Sequence, residues 1–384
     1  MEKVAIFGCG NYGMRAMWEL GKERIVCFID NDPAKQGMEI QDIPVVSLRE
    51  YSVRWQEVQI LIASTYLKEI SNQLDDMGIT NYRPYLPKLQ YYYPPDQLID
   101  DPYTYREEAM DEADWNSKTS VDRNIEYINQ CVKLIKDDIP LFNHVEIETY
   151  NRCNGGCAFC PVSVQNEIRA EKRMEEGLFK KIIAELKQVS YDGKLALFSN
   201  NEPFLDDRII EFHRYAREQL PKARMHLYTN GTMLTMEMFL EIIGYLDELI
   251  IDNYNQNLEL IPNNKAIKEY CEANPELIKK VTIVLRKPNE ILTSRGGDAP
   301  NRKEKVSYGN DSCLLPYRQM IVRPDGKVSL CCNDPYGKTT MGDLNIESMI
   351  DLWYGENFRQ IREKLANGRK NHPHCVYCDS FIVG

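Results

Sequence analysis

The chain of 384 residues carries 58 acidic against 47 basic side chains, a formal net charge of −11 at pH 7. This balance makes nucleic acids and anionic membranes poor candidates as partners, because Lys and Arg must neutralise their phosphates. The sequence shows no signal-peptide pattern and no run of about 18 apolar residues. We therefore expect a cytoplasmic protein of two or three domains, in which the 12 cysteines bind metal rather than form disulfides.

The first predicted domain, residues 1–87, contains a glycine motif between a strand and a helix. Its expected elements alternate, with strands at Val4–Phe7, Ile25–Ile29 and 59–63 and helices over 14–20 and 67–77. Gly8, Gly10 and Gly13 form the spacing G-x-G-x-x-G, and the second strand ends on Asp30. Such glycines let a phosphate approach a helix N-terminus, and the acid can accept a ribose hydroxyl. The pattern predicts a Rossmann-like domain with these four residues as nucleotide ligands.

This domain is short for a full dinucleotide fold, which uses two mononucleotide halves. It resembles the small N-terminal domains of some sugar-modifying enzymes of surface-polysaccharide pathways. The resemblance implies a bound nucleotide or nucleotide-sugar. Catalytic use of NAD and a purely structural or docking role are the alternatives that stay open.

A proline-broken connector over residues 88–140, with a helix at 121–136, leads to a second domain at 141–300. There strands and helices alternate, which indicates a parallel sheet with helices outside it. The expected strands are 144–149, 194–199, 223–229, 247–252 and 279–285, and the expected helices are 175–189, 206–219, 233–245 and 262–275. The sequence does not reveal the sixth strand of a partial barrel.

Three cysteines follow the first strand of this domain in the spacing C-x3-C-x2-C: Cys153, Cys157 and Cys160. Thiolates are soft ligands suited to iron–sulfur clusters or zinc. We expect Gly155 and Gly156 to free the backbone to fold three sulfurs around one centre. Three local ligands would leave one iron of a four-iron cluster open. A structural zinc knuckle with a distant fourth ligand is the alternative that the spacing alone permits.

Polar residues follow the remaining strands at their C-terminal ends, where barrels of this kind carry their active sites. In chain order these are Asn200, Asn201, Glu202, Thr229, Asn230, Asp252 and Arg286. Because the ends of parallel strands meet at one rim, we expect these side chains to face a common site.

With these motifs the chain resembles the radical SAM enzymes over about residues 140–384. In that family a [4Fe–4S] cluster on three cysteines binds S-adenosylmethionine (SAM) through its open iron. Reductive cleavage of SAM then yields a 5′-deoxyadenosyl radical, which abstracts a substrate hydrogen. The resemblance implies that Cys153, Cys157 and Cys160 hold this cluster and are catalytic.

The resemblance also implies contacts to SAM. The segment N-N-E-P at residues 200–203 is similar to the family's G-G-E-P, although both glycines are replaced. T-N-G at residues 229–231 matches the end of strand three, and Phe159 occupies the position of an aromatic near adenine. The expected SAM-binding residues are Phe159, Asn200, Asn201, Glu202, Thr229, Asn230 and Asp252.

A third predicted domain, residues 301–384, carries the cysteines Cys313, Cys331, Cys332, Cys375 and Cys378. A hairpin with an Asp-Gly turn over 318–330 and a helix near 346–365 lie between them. The layout resembles the truncated SPASM, or twitch, module. The resemblance implies an auxiliary [4Fe–4S] cluster on Cys313, Cys331, Cys375 and Cys378, with Cys331 rather than Cys332 as ligand by the family spacing. A zinc ribbon on the same thiolates is the alternative.

The fold expected from these parts is α/β: a Rossmann-like domain, a partial (β/α)6 barrel and a small hairpin-plus-helix cluster module. The predicted reaction is hydrogen abstraction from a sugar, cyclitol or nucleotide-sugar, with dehydrogenation first and epimerisation or dehydration open. Epimerisation would need a hydrogen donor, for which Cys332 and Cys271 are the candidates. Arg286 and Arg295 are predicted catalytic residues that hold a phosphate or carboxylate, unless they pair with the protein's own acids.

A peptide-modifying maturase of ribosomally made peptides (RiPPs) is the runner-up, and a zinc-bound docking scaffold is the non-enzyme alternative. The nucleotide-type N-terminal domain favours the sugar hypothesis, because peptide maturases usually carry a leader-binding winged-helix domain. An electron donor such as flavodoxin or ferredoxin is the expected protein partner.

Overall fold

A computed structural model describes residues 3–88, 93–94, 96–104, 112–135 and 138–381, with the backbone alone over 112–123. Parts of the predicted connector, at 89–92, 95, 105–111 and 136–137, therefore lie outside the described residues. Within the described ranges the chain divides into two compact units. One comprises Met1–Lys88 and Asn124–Ile139, and the other comprises Leu89–Arg123 and Pro140–Phe381.

The N-terminal unit is built on a mostly parallel sheet of six strands among its described residues, in the order β3-β4-β2-β1-β5-β6. Its strands are β1 (Val4–Phe7), β2 (Ile25–Ile29), β3 (Glu39–Ile40), β4 (Ile43–Val46), β5 (Gln59–Ile62) and β6 (Tyr82–Pro84). Its helices are α1 (Asn11–Leu20), α2 (Leu48–Arg54) and α3 (Leu67–Asp76), and α4 (Glu112–Ile135) ends in this unit. Strand β1 is buried along its whole length, as expected for a parallel strand covered on both faces.

Several differences from prediction concern this unit, including β3 and α2, which were not predicted. Helix α1 begins at Asn11 rather than at residue 14, because Gly10 is its N-cap and the glycine motif already enters the first turn. Helix α4 begins at Glu112 rather than at residue 121. Strands β4 and β6 were not predicted. Both are short, and each contains a proline, which breaks the usual strand pattern.

The second unit holds a sheet of nine strands within the described chain, in the order β15-β14-β13-β8-β9-β10-β11-β12-β7. Its barrel strands are β7 (Ile99–Asp100), β8 (His144–Ile147), β9 (Lys194–Ala196), β10 (Arg224–Thr229), β11 (Glu248–Tyr254) and β12 (Val281–Arg286). The helices between them are α5 (Glu176–Gln188), α6 (Ile209–Gln219), α7 (Met236–Ile242) and α8 (Pro262–Ala273). The strand that the sequence did not reveal is β7, which comes from the predicted connector and pairs in parallel with β12.

The C-terminal part extends this sheet. Strand β13 (Gln319–Val322) pairs in parallel with β8 and forms a hairpin with β14 (Lys327–Ser329), as predicted, while β15 (Thr340–Asp343) follows antiparallel. The prediction of a single helix over 346–365 is wrong. Two helices, α9 (Met349–Tyr354) and α10 (Glu356–Ala366), meet at Gly355, whose extended backbone interrupts the helical turn. Across the described ranges, no helix combines the length and apolarity of a bilayer span.

A buried ion pair joins the starts of β9 and β11. Lys194 Nζ lies 3.2 Å from Glu248 Oε2, and neither side chain is more than 3% exposed. Burial lowers the pKa of Lys194 to about 7, although Glu248 favours the charged amine. Removing one partner of a buried pair leaves an uncompensated charge, which typically costs about 3–5 kcal/mol.

Replacing Lys194 with Met should therefore lower the midpoint of thermal unfolding by about 10 °C. The matched control is the double variant Lys194→Met/Glu248→Met, which removes both charges and should recover most of the loss. If Lys194→Met is as stable as the unsubstituted protein, the stabilising role of this ion pair is contradicted.

Candidate active site

The cysteine loop that follows β8 is tightly turned. The Cys160 N–H donates to the Cys157 carbonyl at 3.1 Å, and the Gly155 N–H donates to Cys153 Sγ at 3.3 Å. A Cβ built on Gly155 would lie 3.3 Å from Cys153 Sγ and 3.8 Å from Cys157 Sγ. Neither Gly155 nor Gly156 has a positive φ, so the predicted reason for these glycines was wrong. A side chain on Gly155 would instead crowd Cys153 Sγ in the space between the two thiols.

A cavity of about 360 Å³ opens over this loop and the C-terminal strand ends. This volume lies in the range of small-molecule sites. The predicted residues that line it are Cys153, Cys157, Phe159, Cys160, Asn200, Asn201, Glu202, Thr229, Asn230, Asp252 and Arg295. The structure thus brings together the residues that sequence patterns placed after four separate strands.

Glu202 is the most constrained acid in this cavity. Its Oε1 accepts the Thr229 hydroxyl at 2.7 Å and the Phe204 N–H at 3.2 Å, while its Oε2 accepts the Asn230 N–H at 2.8 Å. Burial raises the pKa of Glu202 to about 7, and these hydrogen bonds oppose that rise. The Asn230 amide also donates to Asn154 Oδ1 at 2.8 Å, so the third strand end is tied to the cysteine loop.

Asn201 offers a buried donor to a ligand. Its Oδ1 accepts the Ser199 N–H at 2.9 Å, but its Nδ2 is buried without a hydrogen-bond partner in the part of the chain that the structure describes. A buried unsatisfied donor costs about 1–3 kcal/mol. A bound polar group such as the carboxylate of SAM would satisfy it, so the residues present fit this cofactor.

Another part of the cavity lining is aromatic and acidic. The Phe159 ring lies 5.9 Å from the Tyr254 ring, and the Tyr254 hydroxyl donates to Asp252 Oδ2 at 3.3 Å. Burial raises the pKa of Asp252 to about 6, although Arg286 opposes that rise. These side chains could hold an adenosine, with an aromatic face for the base and a carboxylate for a hydroxyl.

The two predicted arginines differ. Arg286 is not among the described residues that line the cavity, and it pairs with Glu290 at 3.6 Å, with Asp252 as a further acid beside it. Arg286 thus follows the alternative of pairing with the protein's own acids. Arg295 does line the cavity, where its guanidinium donates to Asn200 Oδ1.

The Arg295 loop is clamped to the C-terminal segment. Asp379 Oδ1 accepts both the N–H and the hydroxyl of Ser294, at 2.8 and 2.9 Å. Arg295 itself has φ +50°, a left-handed conformation that costs a non-glycine residue about 1–3 kcal/mol and is concentrated at functional sites. The contacts around Ser294 therefore hold Arg295 in a backbone conformation that places its side chain at the cavity.

The auxiliary cysteines enclose a second, smaller cavity. Cys313, Cys331, Cys375 and Cys378 line it together with apolar side chains and the polar residues Asn333, Arg369 and His374. Arg369 is 1% exposed and donates to the backbone carbonyls of Ser312, Cys378 and Ser380. A buried cation beside four sulfurs fits an anionic thiolate cluster.

Cys331 and Cys332 face different cavities. Cys331 lies in the smaller cavity with the other auxiliary cysteines, whereas Cys332 lines the cavity that holds the first cysteine loop. Because the two residues are consecutive, their Cα atoms are about 3.8 Å apart. Consecutive residues of one backbone segment thus line the two cavities, which are neighbours at this point.

Three residues that the sequence patterns did not single out lie at or beside the first cavity. Glu146 and Tyr228 line it, and Arg169 donates to the Asn200 carbonyl at 2.9 Å from its ion pair with Glu148. A signal for the acids was present. Parallel strands buried on both faces are normally apolar throughout, whereas Glu146 lies within β8 and Glu148 follows directly after its end.

The N-terminal unit has a separate cavity of about 410 Å³, lined by Gly8, Gly10 and Asp30 among others. Gly8 has φ +104°, and a Cβ on Gly13 would overlap the Gly8 carbonyl oxygen, so both glycines are required by the fold. Gly10 has open space around it. Asp30 is already engaged, since its Oδ2 accepts the Cys9 N–H at 3.1 Å and the Cys9 thiol at 2.9 Å.

Comparison with known families agrees with this geometry. Residues 147–287 match the Radical SAM superfamily, residues 313–379 match the iron–sulfur cluster-binding domain SPASM, and residues 1–85 match the C2185-like N-terminal domain. The chain is a radical SAM enzyme with a C-terminal SPASM/twitch module. The predicted family is thus confirmed, as is the α/β fold class with its parallel-sheet core and cluster module.

One curated relative is the S-adenosyl-L-methionine-dependent 2-deoxy-scyllo-inosamine dehydrogenase of Niallia circulans. It is 27% identical over 244 residues, which are 63% of this chain and 95% of the relative. The crystal structure of BtrN in complex with AdoMet and 2-DOIA is similar in fold, with a TM-score of 0.53 and 24% identity over 64% of this chain and 98% of that chain.

The separation of Cys331 from Cys332 makes a testable prediction. Replacing Cys331 with Ala should lower the iron content of the reconstituted protein from about eight to about four atoms, because a ligand of the enclosed cluster is lost. Replacing Cys332 with Ala is the matched control and should retain about eight. Equal losses in the two variants, or loss only in the second, would overturn the assignment of Cys331.

Proposed function

We propose that this enzyme dehydrogenates a hydroxylated ring compound, namely a cyclitol, a sugar or a nucleotide-sugar. The observation that carries the proposal is that the consecutive residues Cys331 and Cys332 line the two cavities, which brings the enclosed auxiliary site next to the cavity where the substrate would react. Oxidation of an alcohol must remove a second electron after the hydrogen atom, and this arrangement provides an acceptor at short range. The similarity to a cyclitol dehydrogenase over 95% of that relative supports the same reaction class.

The residues would divide the work as follows. Cys153, Cys157 and Cys160 would hold the cluster that binds SAM. When bound, these groups supply a 5′-deoxyadenosyl radical for hydrogen abstraction and a one-electron acceptor at the auxiliary site. Asn201 and its neighbours would bind the polar end of SAM, and Phe159 would contact the adenine. Arg295 would orient the substrate through its guanidinium.

Epimerisation is less well supported by the positions of the two candidate hydrogen donors. Cys271 is fully buried on α8 and is not among the described residues that line the cavity. Cys332 does line it, so epimerisation stays a testable alternative: it would incorporate solvent deuterium at the reacting carbon, whereas dehydrogenation would not. A RiPP maturase is not favoured, because the curated relative acts on a cyclitol.

We expect the enzyme to work in the cytoplasm with a small reductant such as flavodoxin or ferredoxin. All 12 cysteines are free thiols in the structure, which suits a reducing compartment. The formal charge of −11 argues against nucleic-acid partners.

The proposed reaction can be tested with anaerobically reconstituted enzyme and substrates that carry deuterium at the hydroxyl-bearing carbon. The panel would contain 2-deoxy-scyllo-inosamine, scyllo-inositol and UDP-glucose. At least one should yield a ketone together with one deuterated 5′-deoxyadenosine per turnover. If only undeuterated 5′-deoxyadenosine forms with every member, the proposed substrate class is wrong.

The cysteine loop provides the matched control. Replacing Cys153, Cys157 and Cys160 with Ala should abolish 5′-deoxyadenosine formation while about four irons remain at the auxiliary site. Retention of SAM cleavage in this variant would contradict the assignment of the first cluster.

We further propose that the N-terminal unit binds a nucleotide or nucleotide-sugar in its own cavity. The cavity lies at the N-terminus of α1, where backbone N–H groups and the helix dipole favour a phosphate. Asp30 stays anionic there. Partial burial disfavours its charge, but hydrogen bonds from Cys9 and the Asp32 N–H outweigh this and hold the pKa of Asp30 below its usual range. Oδ2 accepts from Cys9 and Lys35, whereas Oδ1 accepts one bond, from the Asp32 N–H, and can accept a second from a ribose hydroxyl.

Gly10 offers a clean test of this second site, because a side chain there would meet open space and the residue has an ordinary extended φ of −82°. Replacing Gly10 with Asp should weaken binding of UDP-glucose, measured by calorimetry, at least about 10-fold through charge repulsion, while the thermal midpoint stays unchanged. Gly10→Ala is the neutral control. No UDP, UDP-glucose or NAD binding to the unsubstituted protein would reject the proposal.

A further inference from the structure

Glu146 is a buried carboxylate that the proposed division of roles has not used. It lies on β8, is 6% exposed and lines the larger cavity. Its Oε2 accepts the Ser199 hydroxyl at 2.6 Å, and its Oε1 lies 3.5 Å from His144 Nε2. The carboxylate thus has one well-bonded oxygen and one oxygen with a long contact.

A hydrogen-bond chain behind Glu146 determines the state of His144. The Cys332 N–H donates to Gln319 Oε1 at 3.4 Å, which orients the amide so that its Nε2 donates to His144 Nδ1 at 3.3 Å. The ring proton is then on Nε2, the nitrogen that faces Glu146. Burial lowers the pKa of His144 to about 3, so the imidazole is neutral. It can therefore orient Glu146 without acting as a permanent counter-charge.

The other charged groups around Glu146 leave it free to change protonation. Burial raises the pKa of Glu146 to about 7, Ser199 and Arg295 oppose the rise, and Glu148 adds to it. Glu148 is itself paired with Arg169 at 2.9 Å. Cys332, which follows β14, lies near Glu146 and lines the same cavity.

We propose that Glu146 is the base that accepts the hydroxyl proton of the substrate, an inference that rests on the dehydrogenation proposed above. The C–H bond breaks with its hydrogen atom going to the 5′-carbon derived from SAM. The O–H bond gives its proton to Glu146, and the remaining electron leaves to a one-electron acceptor of the iron–sulfur class. The alcohol thereby loses two hydrogens and two electrons in total and becomes a ketone.

Other groups on the cavity wall are less suited to this role. A guanidinium is not deprotonated in proteins, so Arg295 can orient a hydroxyl but cannot accept its proton. The oxygens of Glu202 are occupied by Thr229, Phe204 and Asn230. Asp252 already accepts the Tyr254 hydroxyl and lies beside the guanidinium of Arg286. Glu146 has an available oxygen, and it lies near Cys332 and Arg295.

The test replaces Glu146 with Gln in the holoenzyme and uses whichever deuterated panel member the unsubstituted enzyme oxidises. Ketone formation should fall about 100-fold, the usual contribution of a general base. Formation of 5′-deoxyadenosine should fall far less, so the ratio of ketone to deuterated 5′-deoxyadenosine drops well below one. Iron content and the SAM-induced spectral change should equal those of the unsubstituted enzyme.

The pH profile separates a base from a merely structural carboxylate. Because Glu146 must be deprotonated to act, kcat of the unsubstituted enzyme should rise with pH through about 7, and Glu146→Gln should lack that rise. Glu146→Asp keeps a carboxylate and should partly restore the ratio of ketone to deuterated 5′-deoxyadenosine. The matched control is Glu176→Gln, the same change in an exposed pair with Lys180, and it should behave like the unsubstituted enzyme.

Each outcome decides a different claim. Suppose that the unsubstituted enzyme oxidises a panel member and that Glu146→Gln keeps both the product ratio and the pH profile. Then Glu146 is not the base, although the proposed function stands. If Glu146→Gln loses iron or the SAM response, its effect is structural and the inference is also rejected. If the unsubstituted enzyme oxidises no panel member, the proposed function fails and the inference falls with it.

Discussion

The parallel pairing of β13 with β8 is the constraint on which both sites depend. Gln319 and Ile321 stand opposite His144 and Glu146 in this register. The strand that leads into the first cysteine loop is therefore fixed beside the hairpin that leads to Cys331. Because the pairing is continuous with the barrel sheet, the auxiliary cysteines belong to the same rigid framework as the barrel strands. The short separation of the two cavities follows from this backbone geometry.

Buried charge is the second organising feature of the active site. Glu146, Glu202 and Asp252 line one cavity with Arg295, and burial raises the pKa of all three acids. Acids that outnumber the arginine suit a cationic ligand, and SAM carries an ammonium and a sulfonium beside its carboxylate. Burial away from water makes these carboxylates costly for the stability of the fold. It also makes their protonation sensitive to the charge of a bound ligand.

Much of the site could be predicted from the sequence because its information is local. Two local patterns indicate the functional residues once a parallel barrel is expected. They are the spacing of Cys153, Cys157 and Cys160 and the polar residues at the strand ends. Other features depend on tertiary contacts. Gly155 leaves space between two sulfurs, and Arg286 is balanced by Asp252 on the neighbouring strand as well as by Glu290. The function of Glu146 depends on Gln319 across the β8–β13 pair. Strand β7 has too few residues to form a recognisable pattern.

The central claim is that one cluster is open to SAM and a second, enclosed cluster lies beside it. The most direct measurement is the iron and sulfide content of anaerobically reconstituted protein, with Mössbauer spectra recorded with and without SAM. The account predicts about eight irons in two [4Fe–4S] clusters, of which SAM perturbs a single iron of one cluster. About four irons with one zinc would leave the SAM site but remove the electron acceptor, and would contradict the proposed dehydrogenation.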